Sequence, residues 1–166
     1  MVFSDEKRFN LDGADGIRYF WNDLRHEPHI FSKRHFGGGG VMVWAGFAAN
    51  GTTQMVFLDI KVNSAAYQDI LGEHLLPTAP LITSGDYLFQ QDIASIHVSC
   101  TSKSWFEANF VKLLDWPSKS PDLNPMENLW GILCREIHKD GKQYDSKSSL
   151  ISAIKSAWDN LLRQTL

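Results

Sequence analysis

The chain has 166 residues, of which 43% are hydrophobic and 21% are charged, and its formal net charge is -3 at pH 7. This length and composition indicate one globular domain with a core of ordinary size and exclude a disordered chain. The negative charge argues against a domain that holds nucleic acid by bulk electrostatics alone, because phosphate binding requires clustered Lys and Arg.

The first half of the chain predicts an antiparallel meander of strands. Turn-rich stretches separate three β-branched and aromatic runs, which are VFSDEKRF (2–9), IRYFWN (17–22) and VMVWAGFA (41–48). A further strand is predicted in TQMVFLDI (53–60). The Asn50-Gly-Thr triplet before it matches a glycosylation acceptor, but without a secretion signal we interpret it as a turn between strands.

The second half alternates between helices and strands. Apolar residues at helical spacing predict a helix over 63–76, capped by Asn63 or Ser64. A strand (86–92), a helix (99–110), a strand (111–117) and two helices (126–140 and 146–162) follow. Because a strand–helix–strand connection normally joins parallel strands, we expect the last two strands to be parallel. Without repeats or linkers, the whole chain is predicted to be one domain.

Two cysteines and the lack of long apolar runs bear on cellular context. Cys100 and Cys134 lie far apart without metal-ligand spacing, which favours reduced thiols of an intracellular protein over a disulfide. No run of eighteen apolar residues occurs, and Met1 leads directly into VFSDEKRF. We therefore predict neither a membrane span nor a signal peptide, and no membrane partner.

Three carboxylates lie within predicted elements or at their ends. Asp5 is in the first strand, Asp92 ends a later one, and Glu127 opens a helix. If the first strand lies beside the strand at 86–92, all three can meet in one cleft. Like charges at such distances repel, so this arrangement makes physical sense when divalent cations lie between them. Oxygen ligands select magnesium or manganese.

Each carboxylate also has an ordinary structural interpretation. An Asp that follows a strand is usually a turn former or a helix cap, which is the simplest interpretation of Asp92. Asn124, Pro125 and Glu127 match a capping-box pattern, with Asn124 at the N-cap and Glu127 three positions later. Local sequence alone therefore leaves both interpretations open.

Five segments in a fixed order resemble the catalytic domain of the mariner-like transposases of the DDE superfamily. They are FSDEKRFNLDG, GGGGVMVWAGF, HLLP, FQQD and LLDWPSKSPDLNPMENLWG. That family carries an Asp, Asp, Glu triad, and thirty-four residues separate the last two members in its commonest type. The same number of residues separates Asp92 from Glu127 here.

The resemblance implies an α/β, ribonuclease-H-like fold with a mixed five-stranded sheet flanked by helices. It also implies two Mg²⁺ or Mn²⁺ ions held by Asp5, Asp92 and Glu127, and cut-and-paste DNA transposition in the nucleus. The expected partners are transposon-end and target DNA. The family's N-terminal helix-turn-helix region is not in this sequence. A homodimer is compatible with a full-length protein, whereas we expect the isolated domain to be monomeric.

The chain departs from the family pattern at one position. Ile93 stands where the family favours Asn. His97 falls where the family has its histidine and is a candidate for supporting the metal ligands or facing DNA. Lys119, in a proline-stiffened loop, is a candidate phosphate contact. A second functional hypothesis follows from Ile93: a domesticated or decayed domain that binds DNA or protein without catalysis.

Overall fold

The computed structural model describes residues 1–13, 39–58, 62–118 and 120–165, with side chains described through residue 161. The chain divides into two compact units, one made of Met1–Lys7 and Met42–Gly131 and the other of Arg8–Val41 and Ile132–Leu166. The strand predicted at 17–22 lies outside the described residues. Among the helices that are described, none combines the length and apolar character that crossing a bilayer demands.

The described strands form one mixed sheet of six. They are β1 (Val2–Asn10), β2 (Gly40–Ala48), β3 (Gly51–Thr52), β4 (Val56–Leu58), β5 (Leu88–Gln90) and β6 (Lys112–Leu113). Their order is β3-β2-β1-β5-β6, and β4 also pairs with β2. β5 runs parallel to both β1 and β6, whereas β3 and β4 run antiparallel to β2.

The predicted mixed sheet and the parallel pairing of the last two strands are confirmed, but the predicted count of five strands is wrong. The two-residue strand β3 was not predicted, because it contains no hydrophobic run. It forms because the chain reverses after Ala48 and returns along β2, so that Thr52 pairs with Phe47. Gly51 adopts a φ of +154° in this reversal, a conformation that favours glycine.

Five α-helices occur in the described residues. They are α1 (Ser64–Ile70), α2 (Ala79–Ile82), α3 (Cys100–Ala108), α4 (Met126–Ile137) and α5 (Lys147–Thr165). α1 continues into a π-helical turn at Leu71–Leu75. Asn63 is its cap, since its Oδ1 accepts a hydrogen bond from the Ala66 N–H at 2.9 Å. The four-residue α2 was not predicted, because so short a helix has no readable period.

The core of the first unit packs α1 and α3 against one face of the sheet. Val2, Trp44 and Phe89 come from three neighbouring strands, and Tyr67 and Phe106 come from the two helices; all are buried. Successive side chains of a strand point to opposite faces. Residues next to these positions, including Asp5 of β1, therefore face the other side of the sheet, where the first turns of α4 lie.

The second unit combines the ends of β1 and β2 with the C-terminal helices. Its buried side chains include Leu133, Leu150 and Ile154. The Tyr144 N–H donates to the Leu11 carbonyl at 2.9 Å, which ties the segment before α5 to the residue after β1.

Candidate active site

Asp5, Asp92 and Glu127 line one cleft of about 280 Å³ in the first unit. β1 carries Asp5, the segment after β5 carries Asp92, and the first turn of α4 carries Glu127. Phe3 pairs with Gln90 across the parallel strands β1 and β5, and this register brings Asp5 level with Asp92 two residues later. The structure thus brings the three predicted residues together, and their catalytic role stays a prediction.

Asp5 is the most buried of the three carboxylates. Trp130 Nε1 donates a hydrogen bond to Asp5 Oδ2 at 3.0 Å. Burial, followed by the negative charges of Glu6 and Glu127, raises the pKa of Asp5 to about 7. None of the described residues that line the cleft is basic. Acidic groups are therefore crowded here without a basic side chain in the described lining, which is the situation that a bound cation would relieve.

Trp130 was not predicted from the sequence to be a site residue, although its spacing from Glu127 could have indicated it. It lies three residues after Glu127 in α4, so the two side chains project from one side of the helix. A tryptophan at that spacing from a catalytic acid can donate a hydrogen bond toward the same cleft.

We expect Asp5→Asn to stabilise the metal-free protein. The Asn oxygen can still accept the Trp130 hydrogen bond, while the charge crowded by Glu6 and Glu127 is removed. Because the folded-state pKa of Asp5 is raised from 3.8 to about 7, the wild type loses stability as pH rises through that range, by about 2–4 kcal/mol. The variant does not titrate there, so its advantage should be small near pH 4 and full near pH 8.

Thermal unfolding in EDTA at several pH values measures this effect. Asp86→Asn is the control, since Asp86 is exposed and lies outside the cleft lining. Added Mg²⁺ should raise the melting temperature of the wild type more than that of Asp5→Asn. An Asp5→Asn variant that is less stable than the wild type at pH 8 would contradict this account.

Asp92 does form the turn that local sequence suggests. Its Oδ1 accepts a hydrogen bond from the Ala94 N–H at 2.9 Å and lies 2.5 Å from His97 Nδ1. The bond to His97 is the main reason that the pKa of Asp92 is lowered. Both contacts use Oδ1, so Oδ2 carries no hydrogen bond from the described residues. β5 ends at Gln90, two residues before Asp92, and not at Asp92 as predicted.

His97 connects the segment that carries Asp92 to β1. Its side chain is 2% exposed, and Nε2 lies 3.4 Å from Glu6 Oε1, an ion-pair distance without hydrogen-bond geometry. Although burial opposes a charge on the ring, the contacts with Asp92 and Glu6 raise the pKa of His97 to about 9. His97 is therefore an imidazolium at neutral pH and links two carboxylates.

Two buried residues, Tyr67 and Gln91, form a network that contacts His97. The Tyr67 ring lies 4.2 Å from the His97 ring, centroid to centroid, and its hydroxyl donates to Gln91 Oε1 at 2.7 Å. Gln91 Nε2 donates to the His97 carbonyl at 3.3 Å. His97 was a candidate from the sequence, but Tyr67 and Gln91 were not, because a contact over 24 residues leaves no local pattern.

Of the predicted capping box, Asn124 does cap the helix, but Glu127 does not take part. Asn124 Oδ1 accepts a hydrogen bond from the Met126 N–H at 3.1 Å, as a cap does. The Asn124 N–H, which a capping-box Glu would accept, donates instead to the Pro121 carbonyl at 3.0 Å. Glu127 is exposed and lines the cleft.

Asn124 also joins the two elements that carry Asp5 and Glu127. Its Nδ2 donates to the Ser4 carbonyl at 3.1 Å, directly before Asp5 in β1. Asn124 is 6% exposed, so both of its side-chain bonds are shielded from water. The sequence identified the cap but not this second bond.

Asn124→Ala is expected to cost about 2–4 kcal/mol of unfolding free energy, because it removes two hydrogen bonds and leaves the Ser4 carbonyl unpaired. Urea unfolding measures the loss. Asn124→Ser keeps a side-chain oxygen that can cap the helix, adds no charge and loses the donor to Ser4, so it should fall between the wild type and Asn124→Ala. Equal stability of Asn124→Ala and the wild type would mean that neither bond matters.

The donor set fits a divalent cation, because it consists of carboxylate oxygens in a cleft whose described lining has no basic residue. The side chains are not already gathered around one point, since no group of three His, Cys, Asp or Glu residues within the described ranges is placed to hold an ion. Repulsion between Asp5 and Glu127, together with the bond from Asp92 to His97, accounts for the spread.

Two remaining candidates have different outcomes. Ile93 is 46% exposed and lines the cleft beside the carboxylates. It therefore adds an apolar side chain where the family has an amide. Lys119 lies outside the described residues, and its proposed phosphate contact stays a prediction.

A family model of the DDE superfamily endonucleases matches residues 1–151. The chain belongs to this family. It is 48% identical over 161 residues to the Tc3 transposase of Caenorhabditis elegans, covering 97% of this chain and 49% of that protein. It is also 37% identical to the Tcb2 transposase of Caenorhabditis briggsae, covering 95% of this chain and 58% of that protein. This DDE chain thus spans about half the length of the curated relatives that it matches.

Solved structures of the Mos1 transposase share the fold of this DDE chain. A Mos1 paired-end complex with the left transposon end superposes with a TM-score of 0.76 and 21% identity, over 98% of this chain and 47% of that one. The Mos1 catalytic domain superposes with a TM-score of 0.63 and 20% identity, over 98% and 69%. These matches confirm the predicted ribonuclease-H-like fold, and the family model and the transposase relatives confirm the family resemblance.

Proposed function

We propose that this chain is the catalytic domain of a DNA transposase, which cleaves phosphodiester bonds and joins DNA strands with the help of divalent cations. The observation that carries the proposal is the presence of Asp5, Asp92 and Glu127 in one cleft. Membership of the DDE family supports it.

Asp5, Asp92 and Glu127 would hold Mg²⁺ or Mn²⁺. We propose two ions, because the resemblance to the mariner-like family implies two. Mos1 complexes were solved with Mn and with Mg. When bound, two ions would activate first a water and then a DNA 3′ hydroxyl for in-line attack at phosphorus and would stabilise the charge on the leaving oxygen. No covalent bond between protein and DNA is needed.

The residues around the carboxylates set their positions. Trp130 fixes Asp5 through Oδ2, and His97 fixes Asp92 through Oδ1. Asn124 connects β1 to the start of α4, so that Glu127 is placed relative to Asp5. Asp5 and Asp92 are thus held by side-chain hydrogen bonds, whereas Glu127 is placed through the backbone of α4.

The proposed substrates are transposon-end DNA and target DNA. The net charge of -3 does not favour tight binding of DNA by this chain alone. Cations between the carboxylates would reduce that charge locally. The homodimer and the nuclear location likewise stay predictions for a full-length protein.

The test is cleavage of a labelled duplex that carries a nick, with products separated on a denaturing gel. Strand cleavage should appear with Mg²⁺ or Mn²⁺ and disappear in EDTA. Joining of a pre-cleaved 3′ end to a plasmid should show the same metal dependence. Binding of DNA without cleavage, in Mg²⁺ and in Mn²⁺, would favour the domesticated, non-catalytic module.

A further inference from the structure

Gln90 is a polar side chain in a fully buried position beside the carboxylates. It is 0% exposed and lines the same cleft as Asp5 and Asp92. It is the last residue of β5, two positions before Asp92. Its amide has two polar atoms, of which the oxygen and the nitrogen need separate partners.

The orientation of the Gln90 amide follows from its neighbour. The Ser4 N–H donates to Gln90 Oε1 at 3.3 Å, and a flipped amide would set two donors against each other. The Ser4 hydroxyl also donates to the Gln90 carbonyl at 2.9 Å, which holds the two strands together at this point. The remaining polar atom of the side chain is therefore the nitrogen Nε2, which takes no part in the bond with Ser4.

Gln90 Nε2 has no hydrogen-bond partner among the described protein groups, although it is buried. The three cleft carboxylates are nearby acceptors, yet none of them bonds to it. A buried donor without a partner costs about 1–3 kcal/mol. A group that enters the cleft can supply the missing acceptor.

We propose that Gln90 Nε2 donates a hydrogen bond to a non-bridging phosphate oxygen of the DNA strand in the cleft. The inference rests on the proposed function. Phosphate oxygens only accept hydrogen bonds, and Nε2 can only donate. Cations held by the carboxylates would draw a phosphate into this cleft, and Gln90, beside the carboxylates, is placed to meet one of its oxygens.

The experiment measures DNA binding in Ca²⁺, by fluorescence anisotropy, for the wild type and for Gln90→Met. Each phosphate around the nick is replaced in turn by a methylphosphonate, which lacks one acceptor oxygen. We expect one position at which the replacement weakens binding to the wild type about tenfold and leaves binding to Gln90→Met almost unchanged. Such coupling isolates a direct contact from separate effects of the two changes.

Two further variants separate this role from a structural one. Gln90→Met also leaves the Ser4 N–H without its acceptor, so its melting temperature is measured and binding is compared well below it. Gln90→Leu also lacks the donor and, unlike a Glu, adds no charge to the acidic cleft, so it should lose the same position-specific effect. Gln54→Met is the matched control on an exposed glutamine and should behave as the wild type.

Cleavage in Mg²⁺ gives an independent readout, which we expect to be about tenfold to a hundredfold slower in Gln90→Met. Methylphosphonate effects that are the same in the wild type and Gln90→Met at every position would overturn the inference. If the wild type itself neither binds nor cleaves DNA, the proposed function fails first, so the two failures can be told apart.

Discussion

Asp5→Asn and Glu127→Gln are each expected to lower metal-dependent DNA strand cleavage by at least about a hundredfold. A carboxylate can ligate a cation through both of its oxygens. Each change replaces it with an amide and leaves the size of the side chain almost unchanged. The fold should survive, because Asp5→Asn keeps the Trp130 hydrogen bond and Glu127 is exposed. Cleavage rates in Mg²⁺ and in Mn²⁺ are the measurement.

Asp86→Asn serves as the control for these variants, since it removes one negative charge outside the cleft. It should cleave at the wild-type rate. The non-catalytic hypothesis predicts instead that no variant changes an already undetectable rate. A wild type that cleaves and a Glu127→Gln variant that cleaves equally well would remove Glu127 from the mechanism and return it to the surface of α4.

The second large effect is expected at His97, where two substitutions separate its two contacts. An Asn at this position can keep the donor to Asp92, because its amide occupies the place of Nδ1. A Gln can keep the group that faces Glu6, in the place of Nε2. If His97 acts by positioning Asp92, His97→Asn should retain about tenfold more cleavage activity than His97→Gln, even when both lose stability.

Binding of metal gives a readout that a purely structural role of His97 would not move. Mg²⁺ titration of thermal stability should show weaker binding in His97→Gln than in His97→Asn. Tyr67→Phe removes only the hydroxyl bond to Gln91 and should have a smaller effect of the same kind. Equal metal binding and equal rates in the two His97 variants would mean that His97 only fills the core.

Much of the fold could be predicted because strands and longer helices have local signals. The parallel pairing of β5 and β6 follows from the helix between them, since a parallel crossover needs a connection of that length. Among the described strands, β3 was not predicted, because it is set by a chain reversal and by pairing with β2. A strand of two residues is too short to show hydrophobic alternation, so no sequence pattern could predict β3.

The candidate carboxylates could be named from the sequence, but their supporting groups could not. Asp5, Asp92 and Glu127 were identified by residue type, by spacing and by the mariner-like resemblance. Gln90 and Asn124 had only ordinary local interpretations, as part of a strand and as a helix cap. Their second roles depend on Ser4, which is 86 residues from Gln90 and 120 from Asn124.

The amino-acid sequence by itself determined the family, the longer helices and strands and the candidate acidic residues, because these depend on residue types and on spacings of a few tens of residues. Only the tertiary structure decided which interpretation of each carboxylate applies. Asp92 is both a turn former and a cleft residue, since Oδ1 serves the turn while the side chain also lines the cleft. The pKa of Asp5 is raised to about 7 because folding buries the carboxyl, beside its neighbour Glu6, and brings Glu127 close to it. Such electrostatic effects depend on distances through space, which residues far apart in the chain acquire only when the sheet forms.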